Sequence, residues 1–83
     1  MGKYDPLEGH LRRQKAATYD MSFRDIERLL GALLPARARR PDWWAYDDAQ
    51  GSGPVQCLAW RRAGYRAHLL KDDERVRFER IAR

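Results

Sequence analysis

Between positions 37 and 44 the chain reads Arg-Ala-Arg-Arg-Pro-Asp-Trp-Trp, three guanidinium groups and two indoles within eight residues. These are side-chain types that hold nucleic acid. Guanidinium groups take phosphates and release their counterions, and an exposed ring stacks on a base for about 1–3 kcal/mol. Arg37, Arg39, Arg40, Trp43 and Trp44 are therefore candidate contact residues. Arg61, Arg62 and Arg66, which flank Gly64, form a second candidate patch. Two other readings compete. A small domain needs large residues inside, which would bury one or both tryptophans. Alternatively the patch serves protein–protein contact, or a homodimer joined through a sheet edge or the Trp pair.

Other chemistry finds less support. Catalysis needs a nucleophile or an acid–base pair held together. His10 and His68 instead fall in different elements, and Cys57 is a lone cysteine in a helical pattern. We expect both histidines at the surface and Cys57 in the core. One cysteine excludes an internal disulfide and a cysteine-rich zinc site. Asp47 with Asp48, and Asp72 with Asp73 and Glu74, are neighbouring acids in turns, which are usually solvated rather than metal-bound. The expectation is a non-enzymatic module without cofactor or metal.

Length and charge agree with a binding role. Eighty-three residues make one domain with a modest core. No apolar run approaches the roughly 20 residues of a membrane span. The start, Met-Gly-Lys-Tyr-Asp-Pro-Leu, lacks the hydrophobic stretch of a signal peptide, so we expect a cytoplasmic protein. Seventeen basic against twelve acidic residues give a net charge of +5. Fourteen of the seventeen are Arg, which suits bidentate and stacking contacts but also accumulates in GC-rich genomes. Position, not number, has to separate those two causes.

The elements that must position these residues can be read from caps and periodicity. Asp5 as N-cap and Pro6 at the first helical position predict a helix over about 6–16, with Leu7 and Leu11 facing inward. Thr18 to Met21 reads as a short extended piece. Ser22 with Asp25 forms a capping-box variant that starts a helix over 23–30, and Gly31 is suited to end it in a left-handed turn. Phe23, Ile26, Leu29 and Leu30 make its inner face. Pro35 can begin a single helical turn that Pro41 prevents from continuing, which presents Arg37, Arg39 and Arg40 outward. If Trp43 and Trp44 are extended, they point to opposite sides. The stretch from Asp47 to Pro54 is the flexible part of the chain.

From Val55 a third helix is expected, with Cys57, Trp60 and Ala63 on one face and Gly64 as its stop. Tyr65, Ala67 and Leu69, then Val76 and Phe78, alternate with polar residues around a turn at 71–74, the pattern of a β-hairpin. Arg80 falls on the inner face, so it must snorkel past the sheet edge or meet an acid. The expected fold is α+β, about three helices packed on a small antiparallel sheet with a C-terminal β-hairpin. The layout from 23 to about 40, with the hairpin in the place of a wing, is open to a helix-turn-helix or winged-helix-like arrangement. DNA is then favoured over RNA as the partner.

Several strings also carry a resemblance. They are Tyr4-x-Pro6-Leu7; Ser22-Phe23-x-x-Ile26-Glu27-x-x-Leu30-Gly31-x-x-Leu34-Pro35; Trp43-Trp44; Gln56-Cys57-x-Ala59-Trp60-x-x-Ala63-Gly64-Tyr65; and Val76-x-Phe78-x-Arg80. In combination the chain resembles a family of small, uncharacterised bacterial α+β domains with the pattern F-x-x-I-E-x-x-L-G-x-x-L-P, W-W-x-N, A-W-x-x-A-G-W and V-x-F-x-R. The resemblance spans nearly the whole chain and implies an α+β fold but no activity. Where that pattern has Asn, this chain has Tyr46.

Overall fold

Ser22 is both the last residue of a strand and the cap of a helix. Its Oγ accepts the Asp25 amide at 3.0 Å, and the Asp25 carboxylate accepts the Ser22 amide at 3.4 Å. This reciprocal pair satisfies two donors that the first helical turn would leave unpaired. The helix it starts is Phe23–Leu30 (α2), closed by Gly31 at φ 70°, a left-handed conformation that costs glycine little. The preceding strand is Thr18–Ser22 (β1). Both elements match their sequence signals because those signals lie within one turn of each boundary.

The computed structural model describes residues 2–45, 54, 56–70 and 74–81. The expected flexible stretch from Asp47, the helix start at Val55 and the turn residues 71–73 lie outside them, apart from Pro54. Asp5–Arg12 forms α1, Ala36–Arg39 a 3-10 turn, Pro41–Trp44 the short α3 and Cys57–Arg62 α4. Tyr65–Leu70 (β2) and Arg75–Arg80 (β3) form the hairpin. The sheet is antiparallel in the order β1-β3-β2, with Tyr19 opposite Phe78 and Phe78 opposite Ala67. The amide of Phe23 donates to the Glu74 carbonyl at 2.8 Å, which ties the start of α2 to the mouth of the hairpin. No helix among the described residues is long and apolar enough to cross a membrane.

One face of the sheet is covered by the helices. Leu7 and Leu11 of α1, Ile26 of α2, Trp44 of α3, and Cys57 and Trp60 of α4 are buried against Tyr65, Val76 and Phe78. Aromatic rings fill the centre. Trp44 and Trp60 lie 5.1 Å apart between centroids, and Phe78 approaches Trp60 at 6.1 Å nearly edge-on. Both indole N–H groups find carbonyls, Trp44 at Ala38 (2.7 Å) and Trp60 at Trp44 (3.3 Å), as buried tryptophans require.

Two expected boundaries shift for tertiary reasons. Helix α1 stops at Arg12 rather than 16: the amides of Arg13 and Gln14 close tighter three-residue bonds to the His10 and Leu11 carbonyls at 3.2 and 3.0 Å, and the chain beyond is tied to the sheet. The Tyr65 hydroxyl donates to the Ala16 carbonyl at 2.9 Å, and Arg80 reaches the Gln14 carbonyl through Nη2 and the Ala17 carbonyl through its amide, each at 2.8 Å. Asp5 is the first helical residue instead of the cap, and its carboxylate accepts the Gly2 amide at 2.8 Å. Arg80 snorkels and, among the described residues, meets no acid. Its guanidinium lies 5.1 Å from the Tyr65 ring centroid and also donates to the Tyr65 hydroxyl at 3.2 Å.

Candidate nucleic-acid interface

The candidate residues from 37 to 44 are set by two prolines. Pro35 precedes the 3-10 turn, and Pro41 begins α3, where its missing N–H belongs to an unsatisfied position anyway. Trp43 and Trp44 are therefore helical, not extended. Successive helical side chains diverge by about 100° rather than 180°, so one indole turns into the core while its neighbour lies along the rim.

Trp44 is 1% exposed and is removed from the list of contact residues, since its ring packs between Phe23, Trp60 and Phe78. Trp43 is half-buried. It meets Tyr4, whose phenol burial pushes above its ordinary pKa, edge-on at 6.0 Å, and it approaches Trp44 at 4.7 Å. Its carbonyl is held from α4, accepting Gln56 Nε2 at 2.8 Å and the Cys57 thiol at 3.6 Å. Burial pushes that thiol up to about 11, which leaves it protonated and unreactive at neutral pH.

Arg37, Arg39 and Arg40 are all exposed, as expected, but they do not act together. Arg37 and Arg40 line one open cleft of about 390 Å³ with Asp42, Trp43, Pro54 and Gln56. Arg39 points elsewhere and pairs with Glu74 at 2.9 Å. Both partners of that bridge are more than half exposed, so it is worth little to stability, but it competes with any phosphate. Among the described residues no acidic side chain is in ion-pair range of Arg37 or Arg40.

The second patch is also divided. Arg61 and Arg66 line a smaller cleft of about 240 Å³ with Trp44, Ala45, Trp60, Tyr65, Ala67 and His68, while Arg62 stands exposed on α4 outside it. The two clefts meet at α3, since Trp43 lines the first and Trp44 the floor of the second. On the open face of the sheet, Arg77 grips Asp20 through Nε at 2.9 Å and Nη2 at 3.1 Å. That bond holds the Asp20 carboxyl below its usual pKa range.

The histidines divide. His68 is exposed and lies 3.5 Å from Glu79, whereas His10 is part-buried and shares a 2.9 Å hydrogen bond with the Tyr19 hydroxyl, because β1 turns Tyr19 toward α1. Among the described residues no group of three or more His, Cys, Asp or Glu is placed to hold a metal ion.

Sequence reasoning missed Gln56, 8% exposed, which fixes the backbone of Trp43 and lines the same cleft. Its signals were its position directly before the buried face Cys57-Ala59-Trp60 and its place at the head of the string Gln56-Cys57-x-Ala59-Trp60. Comparison with curated proteins and with solved structures gives no match. Residues 4–82 match the family described as Domain of unknown function (DUF7662), and the chain belongs to that family.

Proposed function

We propose that the protein is a non-enzymatic nucleic-acid-binding module, acting on DNA before RNA in the bacterial cytoplasm. The observation that carries this reading is the cleft in which Arg37 and Arg40 sit beside the half-buried ring of Trp43. Two guanidinium groups without an acidic partner among the described residues are available to phosphates, and an indole edge beside them is available to a base or sugar. Arg62 and the Arg61–Arg66 cleft extend the basic surface around α3. The net charge of +5 favours encounter with a polyanion.

The preference for DNA rests on layout. The order helix, strand, helix, helix, helix, strand, strand, with β3 between β1 and β2, is compatible with a winged helix that carries the short α3 as an extra turn and has α4 in the recognition-helix place. The outward side of α4 carries the exposed Arg62 beside the half-buried Leu58 and Arg61.

A gel-shift series against duplex DNA, single-stranded DNA and RNA at two salt concentrations tests the reading. Affinity should fall steeply with salt, and the slope of log affinity against log salt should shrink by about 0.9 per lost duplex contact in Arg37→Gln and Arg40→Gln. Arg39→Gln should change it less, because Glu74 already engages that guanidinium. A protein that binds none of the three at low salt refutes the reading. The alternative, a protein-interaction module or homodimer, draws on the outer edges of β1 and β2, which no strand among the described residues covers. It predicts a concentration-dependent, salt-insensitive dimer in sedimentation.

A further inference from the structure

Leu33 is 79% exposed, the large hydrophobic side chain that stands out among the described residues. A single exposed leucine is ordinarily unremarkable, but this one is held in place. The amides of Gly31 and Ala32 donate to the Glu27 carbonyl at 2.8 and 3.3 Å, and the Leu34 amide donates to the Glu27 carboxylate at 2.9 Å. Leu34 itself packs against the core. Leu33 is thus bracketed by anchored residues and projects from a loop whose backbone is tied to α2. Its neighbours Ala32, Pro35 and Ala36 are small or apolar and exposed, so the loop forms an apolar tip.

Within seven positions of that tip along the chain stand Arg37 and Arg40, both exposed, while Arg39 between them is engaged by Glu74. An apolar point bordered by cations matches a polyanion with an apolar interior, and duplex DNA has that character: phosphates outside, stacked bases within. Proteins that bend DNA insert such a wedge, often leucine, between base pairs from the minor groove while cations hold the flanking phosphates. A tip already ordered before contact pays little extra entropy on insertion.

We propose that Leu33 is a wedge that enters a flexible base step of duplex DNA and kinks it, with Arg37 and Arg40 on the adjacent phosphates. The proposal rests on the DNA-binding reading above and narrows its ligand to bendable duplex, pyrimidine–purine steps such as TA being the easiest to unstack.

The test uses the full chain and an end-labelled duplex of about 30 base pairs with a central TA step, read by energy transfer between the ends. The parent should bend it by some 20–90°, and Leu33→Ala should abolish the bend and weaken binding roughly tenfold. Leu33→Met should retain the bend. Because the side chain is exposed, all three proteins should melt together, which separates loss of the wedge from loss of the fold. Binding without bending by the parent, or undiminished bending by Leu33→Ala, overturns the wedge and leaves the phosphate reading standing. Absence of any binding at low salt removes both. A Leu33→Ala protein whose only defect is lost binding to phosphatidylserine vesicles, or a lost dimer in sedimentation, also overturns the proposal and reassigns the tip to lipid or to protein.

Discussion

Replacing Trp44 with Ala should be far more damaging than replacing Trp43 with Ala, although the two are adjacent. Trp44 is 1% exposed, and Phe23, Trp43, Trp60 and Phe78 all lie against its ring. An indole burying 150–250 Å² at about 25 cal/mol per Å² gives about 4–6 kcal/mol, an upper bound because the unfolded chain already hides part of it. Large-to-small substitution of buried Trp costs about 3–5 kcal/mol, which agrees. The change also strands the Ala38 carbonyl, which loses the 2.7 Å bond from the indole. A domain of this length has roughly 4–12 kcal/mol in total, so Trp44→Ala should be mostly unfolded or melt tens of degrees lower. Trp43, half-buried and meeting Tyr4 only edge-on, should cost about 1–2 kcal/mol on the same scale. Urea titration followed by circular dichroism measures both. Equal losses at the two positions would refute the assignment of one indole to the core and the other to the rim.

Ser22→Ala should cost about 1 kcal/mol and Ser22→Asp almost nothing, since Asp serves as well at a helix cap; a denaturant titration showing equal losses would move the helix start. The Cys57 thiol, raised to about 11 by burial, should resist a thiol reagent at pH 8 in native buffer and react fully once urea unfolds the chain. The sign is fixed by the direction of the shift. The folded protein favours the neutral thiol, so stability attributable to Cys57 is complete below the ordinary value of 9.0 and is lost as pH rises toward 11. Rapid stoichiometric labelling of the native protein would contradict the buried placement.

Much of the architecture was legible because its signals are short-range. The capping pair Ser22 and Asp25 and the stop at Gly31 bound α2 within eight residues, and the alternation of Tyr65, Ala67, Val76 and Phe78 marks the hairpin without reference to anything else in the chain. The buried face of α4 followed from the spacing of Cys57 and Trp60 in the same way. The candidate surface was legible only as a cluster of residue types. Which arginines share a cleft depends on how the 3-10 turn and α3 are oriented against α4, and periodicity over four-residue elements carries no such information.

Sequence alone was enough for features settled within a turn or two of the chain: the Ser22–Asp25 cap, the stop at Gly31, the strand alternation and the inward stripes of the helices. Tertiary structure decided the rest. Tyr65 and Arg80 take the carbonyls of Gln14 and Ala16 across 49 to 66 residues of sequence and so tie the chain after α1 to the sheet end. Trp44 goes inward because the Ala38 carbonyl and the Trp60 ring await it there, while Glu74 diverts Arg39 from its neighbours. Each of these outcomes depends on a partner distant in the chain or on the packing of several elements at once, and no local pattern can encode where such a partner will stand.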